Sequence, residues 1–223
     1  VVNLDGSGEA TTIRNLPEYI KVVTDAGVQS VIFSNGYRMH SNYMQECVDA
    51  GLGFFRFSIV GYSYETYRKW MNSKNFYRTI SNLHEMKRYV VKSKSKCTVA
   101  TYHLILDNNN IEYEVEEYKK IVTSANVQTE IWKMHNWSGV YEPDYDREGS
   151  RKTCGRPFSP DLVIRAGGLN GATGAVHPCC QVLGRDDEAV LGHGSKNSLE
   201  DIWYGDKYNQ LRKDHELGNW PNY

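Results

Sequence analysis

The first segment that could do chemistry is the turn Asp5-Gly6-Ser7-Gly8-Glu9, which follows a short β-type run at residues 1–4. Glycines let the backbone approach a ligand closely, and the exposed N–H groups of such a turn can bind a carboxylate or a phosphate. The carboxylate of Glu9 could hold an ammonium group. The turn therefore suits an amino-acid-like or nucleotide-like ligand, although Gly-Ser-Gly is also a common plain turn.

The second segment lies late in the chain and holds Cys154, Cys179 and Cys180. Thiolates bind iron–sulfur clusters or zinc. From the residues alone these two metals are nearly equal alternatives, with His177 or His193 as the further ligand of a zinc site.

The other two cysteines lie in segments with a clear secondary-structure pattern. Cys47 falls in a helical pattern and Cys97 just before a predicted strand, so both are predicted to be small buried side chains. An odd count of 5 cysteines, without a visible secretory signal, argues against a disulfide scaffold.

The bulk properties are those of an ordinary globular protein. The 223 residues allow one or two domains, with 40% hydrophobic and 24% charged residues. A net charge of −1 gives no electrostatic case for binding nucleic acid or an anionic membrane. No apolar run is long enough to span a bilayer. We therefore expect neither a nucleic-acid partner nor a membrane.

Strands and helices alternate through the first part of the chain, up to about residue 136. The predicted strands cover residues 1–4, 30–33, 54–60, 98–106 and 128–135, and the predicted helices cover residues 16–26, 43–50, 64–91 with a break at 72–73, and 113–125. This alternation predicts a parallel sheet, whose ligands bind at the carboxyl ends of the strands. Arg56 and Ser58 share one face of their strand and are predicted to point inward.

The pattern changes after residue 139. Residues 140–160 have the composition of a linker, and a strand is predicted at residues 161–165. A glycine-rich turn then leads to Cys179 and Cys180. A single helix is predicted over residues 198–216, with Ser198 as its N-cap.

Taken together, these segments resemble the radical S-adenosylmethionine (SAM) enzymes that carry a C-terminal SPASM or twitch extension. The turn at residues 6–9 resembles the GGE motif of that family, and residues 33–36 resemble the TNG segment that ends the next strand. Residues 56–59 resemble the strand whose serine touches SAM. Cys154, Gly174 and Cys179 resemble the opening of the SPASM cysteine pattern.

The resemblance implies a fold and a set of cofactors. The implied fold is α/β: a partial parallel (β/α)6-type TIM-like barrel that lacks its first strand, over residues 1–139, followed by a linker and an incomplete SPASM/twitch hairpin-helix extension over residues 140–223. The implied SAM-binding residues are Gly6, Ser7, Gly8, Glu9, Asn35 and Ser58. The implied ligands of an auxiliary 4Fe–4S cluster are Cys154 and Cys179, with Cys180 expected to pack or to lie beside the ligands.

Two parts of the family pattern are missing. The sequence has no CxxxCxxC loop, which holds the catalytic 4Fe–4S cluster in the family, and it lacks the later SPASM cysteines. We therefore expect a fragment truncated at both ends and inactive alone. The alternatives are a non-catalytic, metal-stabilised α/β binding module and a zinc-containing barrel enzyme.

The resemblance also implies an activity. It is the cleavage of SAM to start radical chemistry, with a peptide, a protein or a small molecule as the substrate. An electron donor such as a flavodoxin or ferredoxin is the implied partner, and the cytoplasm is the implied location. The sequence assigns no catalytic acid or base.

Overall fold

The computed structural model describes residues 1–6, 8–134, 154–165, 174–180 and 189–219. The chain divides into two compact units, Val1–Met134 and His135–Tyr223. Ser7 and the predicted domain boundary between residues 139 and 140 lie outside the described residues.

The first unit contains a five-stranded sheet in which the strands follow one another in sequence order. The strands are β1 (Val2–Asn3), β2 (Ser30–Ser34), β3 (Phe54–Ser58), β4 (Thr98–Ile105) and β5 (Gln128–Lys133). Every neighbouring pair is parallel. The predicted parallel α/β sheet is therefore confirmed.

Five α-helices connect these strands. They are α1 (Leu16–Asp25), α2 (Ser41–Asp49), α3 (Tyr64–Trp70), α4 (Phe76–Lys92) and α5 (Ile111–Thr123). A short 3-10 helix, Ala10–Thr12, precedes α1. The predicted break at residues 72–73 is confirmed, because α3 ends before it and α4 begins after it.

The helices cover one face of the sheet and leave the other face more open. In β3, Phe55 and Phe57 are fully buried in the core, whereas Arg56 and Ser58 alternate with them and are half-buried. The same core contains side chains from all five helices: Leu16, Ile20, Met44, Cys47, Val48, Tyr67, Leu83, Met86, Val90, Tyr118 and Val122. We call the side of the sheet that carries Arg56 and Ser58 the inner face.

Both cysteines of the first unit are buried, as predicted. Cys47 is 0% exposed and Cys97 is 6% exposed. Burial raises the pKa of each thiol to about 12, because an apolar environment disfavours the thiolate. Both side chains pack in the core of the first unit.

The second unit contains a small antiparallel sheet in the order β6 (Val163–Arg165), β7 (Ala175–His177), β8 (Gly192–His193). Two helices follow, α6 (Leu199–Tyr204) and α7 (Asp206–Leu217). The predicted hairpin between residues 161 and 180 is present, with Val163 opposite His177.

The prediction of one continuous helix over residues 198–216 is wrong. Gly205 has φ −70° and ψ 164°, an extended conformation that ends α6 and caps α7. A Cβ atom at this position would lie 2.7 Å from the carbonyl oxygen of Asp201, so the sharp change of direction needs glycine. The N-cap at Ser198 is correct, because its Oγ accepts a hydrogen bond from Asp201 N at 3.0 Å.

Helix α7 is fixed to the segment after Cys154 by Arg212. The Nε of Arg212 donates to the carbonyl oxygen of Pro157 at 3.0 Å, and its Nη1 donates to that of Trp203 at 2.8 Å. The guanidinium lies over the rings of Trp203 and Tyr208, 4.3 and 4.2 Å from their centroids. These contacts join the segment after Cys154 to the last helix.

Candidate functional site

The carboxyl ends of β1, β2 and β3 lie at the same edge of the parallel sheet, and we call this edge the rim. Gly6 and Gly8 follow β1 there and are exposed. A Cβ atom built on either glycine meets nothing within 4 Å, so the space beside this backbone is open. Backbone atoms of the turn are thus accessible to a ligand at the rim.

Glu9 connects the turn after β1 to the turn after β2. Its Oε1 accepts hydrogen bonds from Thr11 N at 3.0 Å, Thr11 Oγ1 at 2.7 Å and Ser34 Oγ at 2.6 Å. Its Oε2 accepts from Asn35 N at 2.9 Å. Four donors from the chain therefore surround a carboxylate that the sequence analysis assigned to an ammonium group.

The turn after β2 has its own supporting bonds. Asn35 Oδ1 accepts from Tyr37 N at 2.9 Å, and Ser34 Oγ accepts from Gly36 N at 2.9 Å. Gly36 has φ +71°, and a Cβ there would lie 2.1 Å from the ring of Phe57. The turn consequently requires glycine at this position.

Ser58 is the last residue of β3 and lies at the rim on the inner face. Its hydroxyl makes no hydrogen bond to another described residue. Ser58 differs in this respect from Ser34, whose hydroxyl is engaged by Glu9. The Ser58 hydroxyl is therefore available to a ligand.

Below Ser58, the inner face carries a charged and aromatic cluster around Arg56. Nη1 of Arg56 donates to Glu130 Oε2 at 2.8 Å, and the two side chains are 12% and 22% exposed. The guanidinium carbon lies 3.6 Å from the ring centroid of Phe33 and 4.4 Å from that of Tyr102. Trp132 stands at 85° to Tyr102, with 5.4 Å between the ring centroids. Sequence analysis predicted the inward position of Arg56 but not its partners.

Asp5 is the acidic neighbour of this cluster. Burial raises the pKa of its carboxyl from 3.8 to about 6, although Phe33 N, which donates to Oδ1 at 3.3 Å, and the charge of Arg56 both lower the pKa. Desolvation thus outweighs the favourable contacts. A carboxyl with this pKa changes its charge close to neutral pH.

A buried pair supports the rim next to β4. His103 Nε2 lies 2.8 Å from Glu114 Oε1, and the two side chains are 0% and 1% exposed. Glu114 also accepts hydrogen bonds from the backbone N–H groups of Leu106 and Asp107, at 2.8 and 3.0 Å. The pair ties the end of β4 to α5.

In the second unit, Cys154 and Cys179 are partly exposed and Cys180 is exposed. All five cysteines of the chain are described, and none forms a disulfide. The charge of Cys179 contributes to the raised pKa of Tyr208, after burial and Asp161. Cys179 therefore lies near the same helix, α7, that Arg212 fixes to the segment after Cys154.

His177, on the central strand of the small sheet, is 5% exposed, and its Nδ1 has no hydrogen-bond partner. Burial, followed by the nearby charges of Arg165 and His193, lowers its pKa. Within the described ranges, however, no group of three or more Cys, His, Asp or Glu side chains is arranged to hold a metal ion. The zinc alternative with His177 or His193 gains no support from the described geometry.

Within the described ranges, no helix combines the length and the apolar character that crossing a bilayer requires.

One family model matches part of the second unit. Residues 171–222 match the SPASM domain, an iron-sulfur cluster-binding domain. The match contains Cys179 and Cys180, and Cys154 precedes it. A search of curated proteins gives no significant match.

Solved structures match nearly the whole chain. The chain is similar to Streptococcus suis SuiB bound to the precursor peptide SuiA, with a TM-score of 0.65 and 12% identity over 92% of this chain and 54% of SuiB. It is similar to BtrN in complex with AdoMet and 2-DOIA, with a TM-score of 0.55 and 16% identity over 97% of this chain and 66% of that chain. The chain thus spans about half the length of SuiB and slightly less than two thirds of BtrN. Its α/β fold is therefore similar to that of SuiB and BtrN, and residues 171–222 match the SPASM iron–sulfur cluster-binding domain that the sequence was said to resemble.

Proposed function

We propose that the chain is part of a radical SAM enzyme that uses 4Fe–4S clusters to cleave S-adenosylmethionine and start radical chemistry. The observation that carries this proposal is the SPASM match at residues 171–222 in a chain whose first unit is a parallel α/β sheet. The rim of that sheet offers the kinds of groups that SAM requires.

The rim residues fit SAM in a specific way. The exposed backbone at Gly6 and Gly8 suits the ammonium group of the methionine moiety through its carbonyl oxygens, with Ser7 between them in the sequence. The Ser58 hydroxyl and the Asn35 side-chain amide suit hydroxyl or carboxylate groups. Glu9 holds the two turns together, so we assign it to positioning the site through Ser34 and Asn35.

Bound SAM and its cluster supply the radical step, and the protein supplies binding, orientation and exclusion of water. The chain has no CxxxCxxC motif, so we propose that the ligands of the catalytic cluster lie outside these 223 residues and that the chain alone is inactive. We propose that Cys154 and Cys179 bind an auxiliary 4Fe–4S cluster. Both are partly exposed thiols outside disulfides, which fits thiolate ligation.

The substrate is proposed to be a peptide, a protein or a small molecule. The similar SuiB is bound to a precursor peptide, and the similar BtrN is in complex with 2-DOIA. We further propose an electron donor such as a flavodoxin or ferredoxin, and a cytoplasmic location.

The direct test uses the full-length protein, purified and reconstituted without oxygen, with dithionite and SAM. The proposal predicts that 5′-deoxyadenosine forms, and that it does not form when SAM or the reductant is omitted. A protein that holds zinc under iron-replete expression, or that holds its clusters but never cleaves SAM, would contradict the proposal. The first outcome favours a zinc-containing barrel enzyme, and the second favours a binding module.

A further inference from the structure

Arg56 has one edge of its guanidinium engaged and one edge unengaged. Nη1 donates to Glu130. Nε is fully buried, and among the described residues neither Nε nor Nη2 has a hydrogen-bond partner. Nε–H and Nη2–H point the same way in a guanidinium, and together they form a fork that matches the two oxygens of a carboxylate.

Aromatic rings cover the flat faces of the Arg56 guanidinium. The rings of Phe33 and Tyr102 lie 3.6 and 4.4 Å from the guanidinium carbon and interact with its flat faces. A buried donor without an acceptor is destabilising, so an oxygen acceptor at this edge restores a lost hydrogen bond. Asp5 feels the charge of Arg56, but its Oδ1 accepts from Phe33 N and makes no hydrogen bond to Arg56 among the described residues.

The position along β3 separates this edge from the rim. Arg56 precedes Ser58 by two residues, which places it about 7 Å deeper along the strand. Trp132, which is 51% exposed, lies on the same face as Arg56 and extends the apolar surface formed by Phe33 and Tyr102.

We propose that the Nε and Nη2 edge of Arg56 binds a carboxylate of the substrate on the inner face of the sheet. The inference rests on the proposed function in assigning that carboxylate to the substrate. An acidic side chain, a terminal carboxylate of a peptide and a small organic acid share this chemistry.

The first experiment needs neither SAM nor iron. The chain is labelled with 15N, and the Arg56 Nε–H resonance, identified by its loss in Arg56→Lys, is followed during titration with benzoate. We expect a saturable shift with benzoate and binding about tenfold weaker, or absent, with the neutral isostere benzamide, because only benzoate offers a charged acceptor. Arg56→Gln should abolish the difference between the two probes, as read from the neighbouring Trp132 indole resonance.

The matched control is Arg78→Gln. Arg78 also stacks on an aromatic ring, that of Tyr37, but its Nη2 contacts His40 on an exposed surface. This variant should bind benzoate like the wild type. Equal shifts with benzoate and benzamide, or equal binding by the wild type and Arg56→Gln, would overturn the proposal. If Arg56→Gln does not fold, Arg56→Lys replaces it, because lysine keeps the positive charge but lacks the two parallel N–H donors.

A second pair of probes separates the sources of the carboxylate. N-acetylglutamic acid α-amide offers a side-chain carboxylate, and N-acetylalanine offers a terminal one. Displacement of benzoate by either compound supports the site and identifies the preferred carboxylate. Displacement by neither compound limits the site to adventitious benzoate and overturns the proposal.

The last step distinguishes this inference from the proposed function. In the reconstituted full-length protein, Arg56→Gln should leave the affinity for SAM unchanged. A large loss of SAM affinity would assign the edge to the carboxylate of SAM itself and would overturn the inference while supporting SAM binding. Failure of SAM to bind the wild type would instead contradict the proposed function and leave the benzoate result standing.

Discussion

The rim of the first unit and the cysteine segment of the second unit are held in different ways. At the rim, Glu9 joins two turns through four hydrogen bonds, above a core of fully buried side chains. In the second unit, Cys154 precedes β6 and Cys179 follows β7, in a sheet whose strands have two or three residues. Its described residues include no assembled set of ligands. The rim is therefore built by the protein, whereas the order of the cysteine segment should depend on the metal that it binds.

The largest effect should follow loss of the auxiliary cluster. In full-length protein reconstituted without oxygen, Cys154→Ser or Cys179→Ser should remove the iron and sulfide of one cluster, because a thiolate ligand is lost. Cys180→Ser should retain most of both. Hydrogen exchange should then accelerate in β6 to β8 and leave β1 to β5 unchanged. Loss of metal only in Cys180→Ser would contradict the assignment of Cys154 and Cys179 as ligands. An equal rise of hydrogen exchange in both units would contradict the dependence of only the second unit on the metal.

The next largest effect concerns Glu9. Glu9→Ala removes the acceptor of four hydrogen bonds and should lower the free energy of unfolding of the first unit by about 3 kcal/mol. Glu9→Gln keeps one acceptor oxygen and should lower it by about half as much. Urea denaturation measures both, with the exposed Glu18→Ala as the control expected to change stability by less than about 0.5 kcal/mol. An unchanged stability in Glu9→Ala would show that the turns do not depend on this carboxylate.

A smaller effect should depend on pH through Asp5. Its pKa is raised from 3.8 to about 6, so the folded protein binds the proton more tightly than the unfolded chain. The free energy of unfolding should therefore fall as the pH rises from about 4 to about 6, and the loss is complete above that range. Asp5→Asn should remove this dependence and be more stable at pH 7.5 by about 1–2 kcal/mol, allowing for solvent screening.

The control for this measurement is Asp25→Asn. Asp25 is 61% exposed and pairs with Lys21 within α1, so its replacement should alter stability by less than about 0.5 kcal/mol at any pH. Denaturation midpoints at pH 4.5 and 7.5 suffice. A pH dependence that persists in Asp5→Asn would assign the effect to another group.

Much of the first unit could be predicted from the sequence because local patterns determine it. The apolar run in β3 and the alternating helices predict a parallel sheet, and the glycines after β1 predict a turn at its carboxyl end. The inward position of Arg56 and Ser58 follows from the two-residue period of a strand. Burial of Cys47 and Cys97 follows from their positions, within a helix and directly before a strand.

The remaining features depend on distant residues, which local patterns do not reveal. The partners of Glu9 at Ser34 and Asn35 lie 25 and 26 positions away. Glu130 lies 74 positions from Arg56, and only the register of three strands brings them together. The break at Gly205 was missed because an isolated glycine within a helical pattern does not by itself end a helix.

The most direct test of the account is the binding of SAM to the rim, measured by calorimetry on the reconstituted full-length protein under anaerobic conditions. Ser58→Ala should weaken SAM binding about five- to tenfold by removing one hydrogen bond, with the free energy of unfolding unchanged because the hydroxyl has no partner in the described structure. Ser93→Ala, at the end of α4, is the control and should bind SAM like the wild type. Unchanged affinity in Ser58→Ala, in a protein that binds SAM, would contradict the assignment of the rim as the SAM site.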